Sequence, residues 1–185
     1  MTGRTTGRPH DTNRVIVHAD EACLGNGREP PTPGGAGGLV EVLHKGEVVR
    51  RDYFVSEPDT TNNRMALRSA IEALTLLSAR GRRLNIEFVS DSNYLIQGMN
   101  EWLEQWRRRG WRRKTGAIEN LELWQRLDEL AGNHNVRWRW VRGHAGDPRN
   151  EYANFLATRA AKLQHNSEGL VESGYLAWRD EQEYK

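Results

Sequence analysis

The stretch Arg14-Val15-Ile16-Val17-His18-Ala19-Asp20 decides the fold: a β-branched run that ends on a carboxylate. Such a run reads as a strand. The same grammar returns at Leu84–Ser90 (LNIEFVS), which ends on Asp91. Between the two, Cys23–Gly38 (CLGNGREPPTPGGAGG) is rich in glycine and proline and reads as a loop. Leu39–His44 and Glu47–Ser56 then flank Lys45-Gly46 as a hairpin, so three consecutive antiparallel strands are predicted. Thr60-Thr61-Asn62 offers helix caps, and Leu67, Ala70, Ile71, Leu74 and Leu77 recur at helical spacing until Gly81 stops the helix. Beyond Asp91 come two short helical stretches, around Tyr94–Met99 and Glu101–Arg109, and an amphipathic helix over Asn120–Ala131. Val136–Val141 alternates Trp138 and Trp140 with Arg137 and Arg139, the period of a half-buried strand. Asp147–Leu163 closes the pattern as a helix with Ala153, Leu156, Ala157 and Ala160 on one side. The order β-β-β-α-β-α-α-α-β-α gives an α/β fold, a five-stranded mixed sheet flanked by helices.

A chain of 185 residues, 37% hydrophobic, suits one globular unit with extensions. The expected division is a flexible tail over 1–13, a folded domain over 14–164 and an extension over 165–185. That extension is acidic but carries Leu170, Tyr175, Leu176 and Trp178, so it either packs as an appendage or stays disordered. Cys23 is the only cysteine, which excludes a disulfide framework and a cysteine-based zinc site and fits a reducing, cytoplasmic setting. Met1–Thr12 is polar, and no apolar run approaches the ~18 residues of a membrane helix, so neither signal peptide nor membrane association is expected. A monomer is expected. The net charge of +2 does not by itself announce a nucleic-acid partner.

Asp20 and Asp91 stand at the ends of separate strands, where the loops of an α/β sheet are free to shape a cleft. Paired carboxylates suit hard cations such as Mg²⁺ or Mn²⁺. Such ions activate water and stabilise the leaving oxygen of a phosphodiester, best as a pair about 3.5–4 Å apart. On spacing alone, two ordinary turn residues explain the same pattern.

Six short stretches narrow the choice. Cys23-Leu24-Gly25-Asn26, Thr61-Asn62-Asn63-Arg64-Met65, Asp91-Ser92-Asn93-Tyr94, Arg109-Gly110-Trp111, Leu123-Trp124-Gln125-Arg126-Leu127 and Gly143-His144-Ala145-Gly146 occur in this order. Together, from about Arg14 to Leu163, they resemble the bacterial type 1 ribonucleases H. The resemblance implies an endonuclease that cuts the RNA strand of RNA–DNA hybrids. It also implies four carboxylates holding divalent metal, with a histidine on a mobile loop. Asp20 matches the first carboxylate, Asp91 the third, and His144 the loop histidine; a loop-capping role is the plainer reading of His144.

Two positions depart from the family pattern. Its helix glutamate, after Asn-Arg-Met, is replaced by Ala66, and its last aspartate by Asn154. Asparagine can still ligate through a neutral oxygen; alanine cannot ligate at all. Glu21, not the family's usual residue, is the candidate to restore the count, giving Asp20, Glu21, Asp91 and Asn154 as metal ligands. Adjacent strand residues point to opposite faces, so this reading expects the strand to end at Asp20 and the chain to turn there. The alternative is an exposed, idle glutamate.

Glu101–Lys114 reads EWLEQWRRRGWRRK, with Trp102 and Trp106 spaced i, i+4. It resembles the family's basic protrusion, in which Arg107, Arg108 and Arg109 would collect DNA phosphates and Trp102, Trp106 and Trp111 would pack on the hybrid. A charged helix over a tryptophan core is the plain alternative. Asn26, Asn62, Asn63 and Asn93 match groove-contacting residues of the family, where the 2′-OH distinguishes RNA from DNA. Thr61 would meet a DNA phosphate, and Asn62 reads equally as a helix cap. Gly27–Pro33 looks lengthened beside the site. Two functions remain: an active hybrid-specific nuclease, or a hybrid-binding module whose catalysis has decayed.

Overall fold

The computed structural model describes residues 14–25, 30–143 and 145–183. Asn26 and His144 therefore lie outside the described residues. The fold begins with three strands, β1 (Arg14–Cys23), β2 (Gly34–His44) and β3 (Glu47–Glu57). Lys45 and Gly46 join β2 to β3 with φ of 49° and 84°. Two left-handed residues form the turn whose twist matches an antiparallel pair. Helix α1 (Asn62–Ser78) crosses back and delivers β4 (Asn85–Ser90) parallel to β1. The two short helices expected next are one continuous path: α2 (Asn93–Gln97), a π-helical turn over Gly98–Trp102, and α3 (Leu103–Arg108). Then come α4 (Leu121–Gly132), β5 (Asn135–Trp140) parallel to β4, and α5 (Pro148–Leu163).

The sheet order is β5-β4-β1-β2-β3-β6, so the expected five strands gain a sixth. That strand, β6 (Val171–Glu172), comes from the C-terminal extension and pairs with Arg51 and Asp52 of β3, ahead of α6 (Tyr175–Glu183). Buried polar groups dock the extension. Asp52 accepts hydrogen bonds from Tyr152 Oη at 2.5 Å and from the Gly174 backbone at 3.1 Å. Glu41, also buried, binds Arg50 at 2.9 Å and Arg149 at 2.7 Å. Both guanidiniums lie over the Tyr175 ring, 5.7 and 5.8 Å from its centroid. Burial pushes the Glu41 carboxyl up, but hydrogen bonds to His18, Arg149 and Arg50 outweigh it and hold it at about 2.

One face of the sheet carries the main core under α1 and α4, built on Val15, Val17, Val40, Phe88, Leu67, Leu74 and Trp124. The other face carries α5 over β1 and β2. The sequence predicted a loop as far as Gly38, yet Gly34–Gly38 is the first half of β2. The reason is the closeness of α5. A Cβ on Gly35 would lie 2.3 Å from Ala161 N, and one on Gly37 would lie 2.6 Å from Leu156 Cβ. Glycine here permits backbone-to-backbone packing rather than a turn.

This packing generates a test. Gly35→Ala forces a methyl group into helix backbone, which cannot swing aside, and should destabilise the protein by about 1–3 kcal/mol. Urea denaturation should show a lower midpoint with an unchanged slope. An unchanged midpoint would show that α5 does not sit this close.

Candidate active site

The site arises from a mismatch in strand length. β1 pairs with β4 only as far as Ala19 opposite Ser90, but pairs with β2 on to Cys23. The edge of β1 from Asp20 onward is therefore open on the side where β4 has ended, and Asp91 is the first residue past that end. The sequence expectation that β1 stops at Asp20 was wrong, because the β2 ladder carries it three residues further. Alternation consequently holds. Asp20, opposite Gly37, is on the α5 face, and Glu21, opposite Ala36, is on the α1 face.

The two side chains meet around the open edge rather than around a turn. Asp20 Oδ1 folds back to accept the Glu21 backbone N–H at 2.7 Å. Glutamate has the length to reach past the edge. Carboxylate oxygens of Asp20, Glu21 and Asp91 all lie within 4.8 Å of one another. Asp20 is buried and the other two are half-buried. The Glu21 carboxyl is raised well above the ordinary carboxylate range, first by burial, then by the charges of Asp20 and Asp91, against a hydrogen bond with Ser92. Three such groups at this spacing oppose one another unless a cation intervenes. All-oxygen ligands of high charge suit a hard divalent ion.

The departures seen in the sequence keep their meaning. Ala66 is 1% exposed within the main core and offers no ligand. It belongs to α1, beside Met65, which packs on Ala36, the strand partner of Glu21. Glu21 therefore enters from the face on which a glutamate at position 66 would stand. On α5, Tyr152 is buried and reaches Asp52 of β3, and Asn154, two residues on, is half-buried. Asn154 Oδ1 accepts from Thr158 Oγ1 at 3.3 Å.

The remaining sequence candidates fall into two groups. Thr61 caps α1, its Oγ1 accepting from Arg64 N at 3.2 Å, and leaves Asn62 and Asn63 on the first turn. Asn93 is exposed at the start of α2, which Ser92 caps. Farther out, Trp102 and Trp106 pack inward, with Trp106 5.4 Å from Trp124 between ring centroids. With Tyr94, Arg113, Ile118 and Glu119 they line a cavity of about 260 Å³. Arg107 pairs with Asp128 at 3.2 Å, and Arg108 pairs with Glu104. Arg109 is exposed and Trp111 half-buried. The tryptophans are thus part of the structure that holds the arginines outward.

Sequence reasoning missed Ser92 and Gly143. Ser92 caps α2, its Oγ accepting from Leu95 N at 3.4 Å, and it opposes the rise of the Glu21 carboxyl pKa. A Cβ on Gly143 would lie 2.2 Å from Asp91 Oδ2, so only glycine lets the β5 exit pass against that carboxylate. The serine had a readable signal as a cap after a strand-end aspartate; the glycine contact had none.

A mixed sheet in which two neighbouring parallel strands bring carboxylates together where the shorter one ends has the framework of the ribonuclease H fold. The RNase H family model matches residues 12–162. Ribonuclease H of Pseudomonas paraeruginosa is 46% identical over 150 residues, 80% of this chain and 94% of that protein. Ribonuclease HI of Pseudomonas aeruginosa is 45% identical over the same length. Among solved structures, LC9-RNase H1, described as a type 1 RNase H with the type 2 active-site motif, superposes with a TM-score of 0.85. It is 56% identical, covering 90% of this chain and 81% of that one. The chain belongs to the RNase H family.

The repulsion at the site has a measurable consequence. A carboxyl whose folded pKa is raised lowers stability as pH rises through the window above its unfolded value, and the penalty persists beyond it. Glu21→Gln removes this penalty, so at neutral pH the metal-free variant should melt higher than the parent. For a domain of this size each kcal/mol is worth about 2–4 °C. Equal or lower melting of the variant in chelator would show that Glu21 is not held against Asp20 and Asp91.

Proposed function

We propose that the protein is an endonuclease that hydrolyses the RNA strand of RNA–DNA hybrids, with Asp20, Glu21, Asp91 and Asn154 as its ligands for Mg²⁺ or Mn²⁺. The observation that carries this is the convergence of three carboxylates within 4.8 Å in a chain whose family position on α1 is Ala66. The likeness to LC9-RNase H1, a type 1 RNase H with the type 2 active-site motif, supports a rearranged ligand set. When bound, a divalent ion supplies Lewis acidity toward the phosphodiester and toward an attacking water.

The chain's own residues do the rest. Asp20 would hold the ion from the open edge of β1 and Asp91 from just past the end of β4, and Glu21 would supply the third charge from the α1 face. Asn154 contributes a neutral oxygen from α5, a weaker donor that lowers the charge of the site. His144 would assist proton transfer or product release from its loop. Asn26, Asn62, Asn63 and Asn93, with Thr61, would read backbone and 2′-OH groups, so cleavage is largely independent of sequence. Arg107, Arg108 and Arg109, set outward by Trp102, Trp106 and Trp111, would grip the DNA strand beyond the cut. The P–O3′ bond breaks, leaving a 5′-phosphate and a 3′-hydroxyl. Among the described residues no helix is long and apolar enough to cross a membrane.

A labelled hybrid, assayed separately in Mg²⁺ and Mn²⁺, tests this. The RNA strand should be cut, and duplex DNA and single-stranded RNA spared. Glu21→Gln should cost nearly as much activity as Asp20→Asn or Asp91→Asn, because two formal charges hold Mg²⁺ poorly. Ala66→Glu should partly rescue Glu21→Gln, since the two positions approach the ion from one face. Hybrid binding without cleavage in either metal would instead establish the binding-module reading, which the loss of a ligand at Ala66 favours. Full activity of Glu21→Gln would leave Glu21 idle.

A further inference from the structure

Trp140, the last residue of β5, is 47% exposed, among the more exposed large apolar side chains of the described residues. An exposed ring of this size needs a reason, and its one polar atom supplies it. Trp140 Nε1 donates to the backbone carbonyl of Asp91 at 3.0 Å. The β4–β5 ladder has ended there, since its last bond runs from Val141 N to Ser90 O at 3.0 Å. The Asp91 carbonyl lies just past that last bond, beyond the end of β4.

The peptide unit between Asp91 and Ser92 is planar, so fixing its two polar ends fixes its orientation. The carbonyl end is held by Trp140. The N–H end belongs to Ser92 and donates to Ser90 Oγ at 3.1 Å. This one plane carries Asp91 on one side and, on the other, Ser92, whose hydroxyl caps α2 by accepting from Leu95 N at 3.4 Å. Gly143, three residues past Trp140, closes against the Asp91 carboxylate itself. The exit of β5 therefore grips Asp91 twice, by its backbone through Trp140 and by its carboxylate through Gly143.

We propose that Trp140 is a positioning residue for the metal site: its indole N–H locks the Asp91–Ser92 peptide and so sets the aim of Asp91. The inference rests on Asp91 being a metal ligand. Groups that orient ligands commonly carry about 10–100-fold in metal affinity or activity.

Two substitutions separate this role from the obvious rival, an aromatic platform for substrate. Trp140→Phe keeps a ring and removes only the donor; Trp140→Ala removes both. Both should lower kcat about tenfold and weaken Mn²⁺ binding to the hybrid-free protein, followed by titration, by about the same factor. KM for the hybrid should stay within about twofold in both, because the ring itself holds nothing. If Trp140→Phe matches the parent while Trp140→Ala raises KM, the ring is a platform and the proposal fails. A lower melting temperature with kcat and Mn²⁺ affinity unchanged well below it would make Trp140 merely structural, and the proposal fails again. Asp91→Asn runs alongside: if it keeps full activity and Mn²⁺ affinity, the ligand assignment falls and takes the Trp140 proposal with it. If Asp91→Asn is inactive while both Trp140 variants match the parent, only the Trp140 proposal is lost.

Discussion

Mutual repulsion among the carboxylates of Asp20, Glu21 and Asp91 is the constraint around which this fold is arranged, since groups within 4.8 Å of one another cannot all ionise cheaply. Left alone they would take up protons or move apart. Several features prevent the second outcome. β2 holds β1 in ladder to Cys23, so Asp20 and Glu21 cannot peel away from the sheet. Gly143 closes on Asp91 from the β5 side, and Ser92 meets Glu21 from the start of α2. The glycines of β2 bring α5, the helix that bears Asn154, down to backbone contact with the sheet. A divalent ion would convert this enforced crowding into a binding site.

The framework was legible wherever local pattern and tertiary need agreed. β1, β4, the Lys45-Gly46 turn, α1 and α5 could be read from periodicity, caps and turn residues, because each buries a face that its own sequence marks. Gly34–Gly38 was misread because glycine usually signals a turn, whereas here it answers the closeness of a helix distant in sequence. β6 was invisible, since a two-residue strand has no period. The docking of the extension was equally hidden, because it depends on Asp52 meeting the Gly174 backbone and on Glu41 holding Arg149 over the Tyr175 ring.

The convergence of Asp20, Glu21 and Asp91 was legible in the sequence, but its geometry was not. Asp20 and Asp91 announced themselves as strand-end carboxylates, and the loss of the α1 glutamate at Ala66 directed attention to Glu21. How two adjacent strand residues could share an ion was not readable. The sequence suggested a turn after Asp20; the structure supplies an unequal pair of neighbours instead. β1 outruns β4, and an open strand edge lets side chains from opposite faces meet. Register between strands is a tertiary quantity, and no local signal encodes it.

The account stands on Glu21 taking over the missing helix carboxylate, and anomalous diffraction from crystals soaked in Mn²⁺ tests that most directly. A manganese peak should lie in direct contact with carboxylate oxygens of Asp20, Glu21 and Asp91 together, and in Glu21→Gln crystals its occupancy should fall sharply. A peak ligated by Asp20 and Asp91 alone, with Glu21 turned away and occupancy unchanged in the variant, would contradict it.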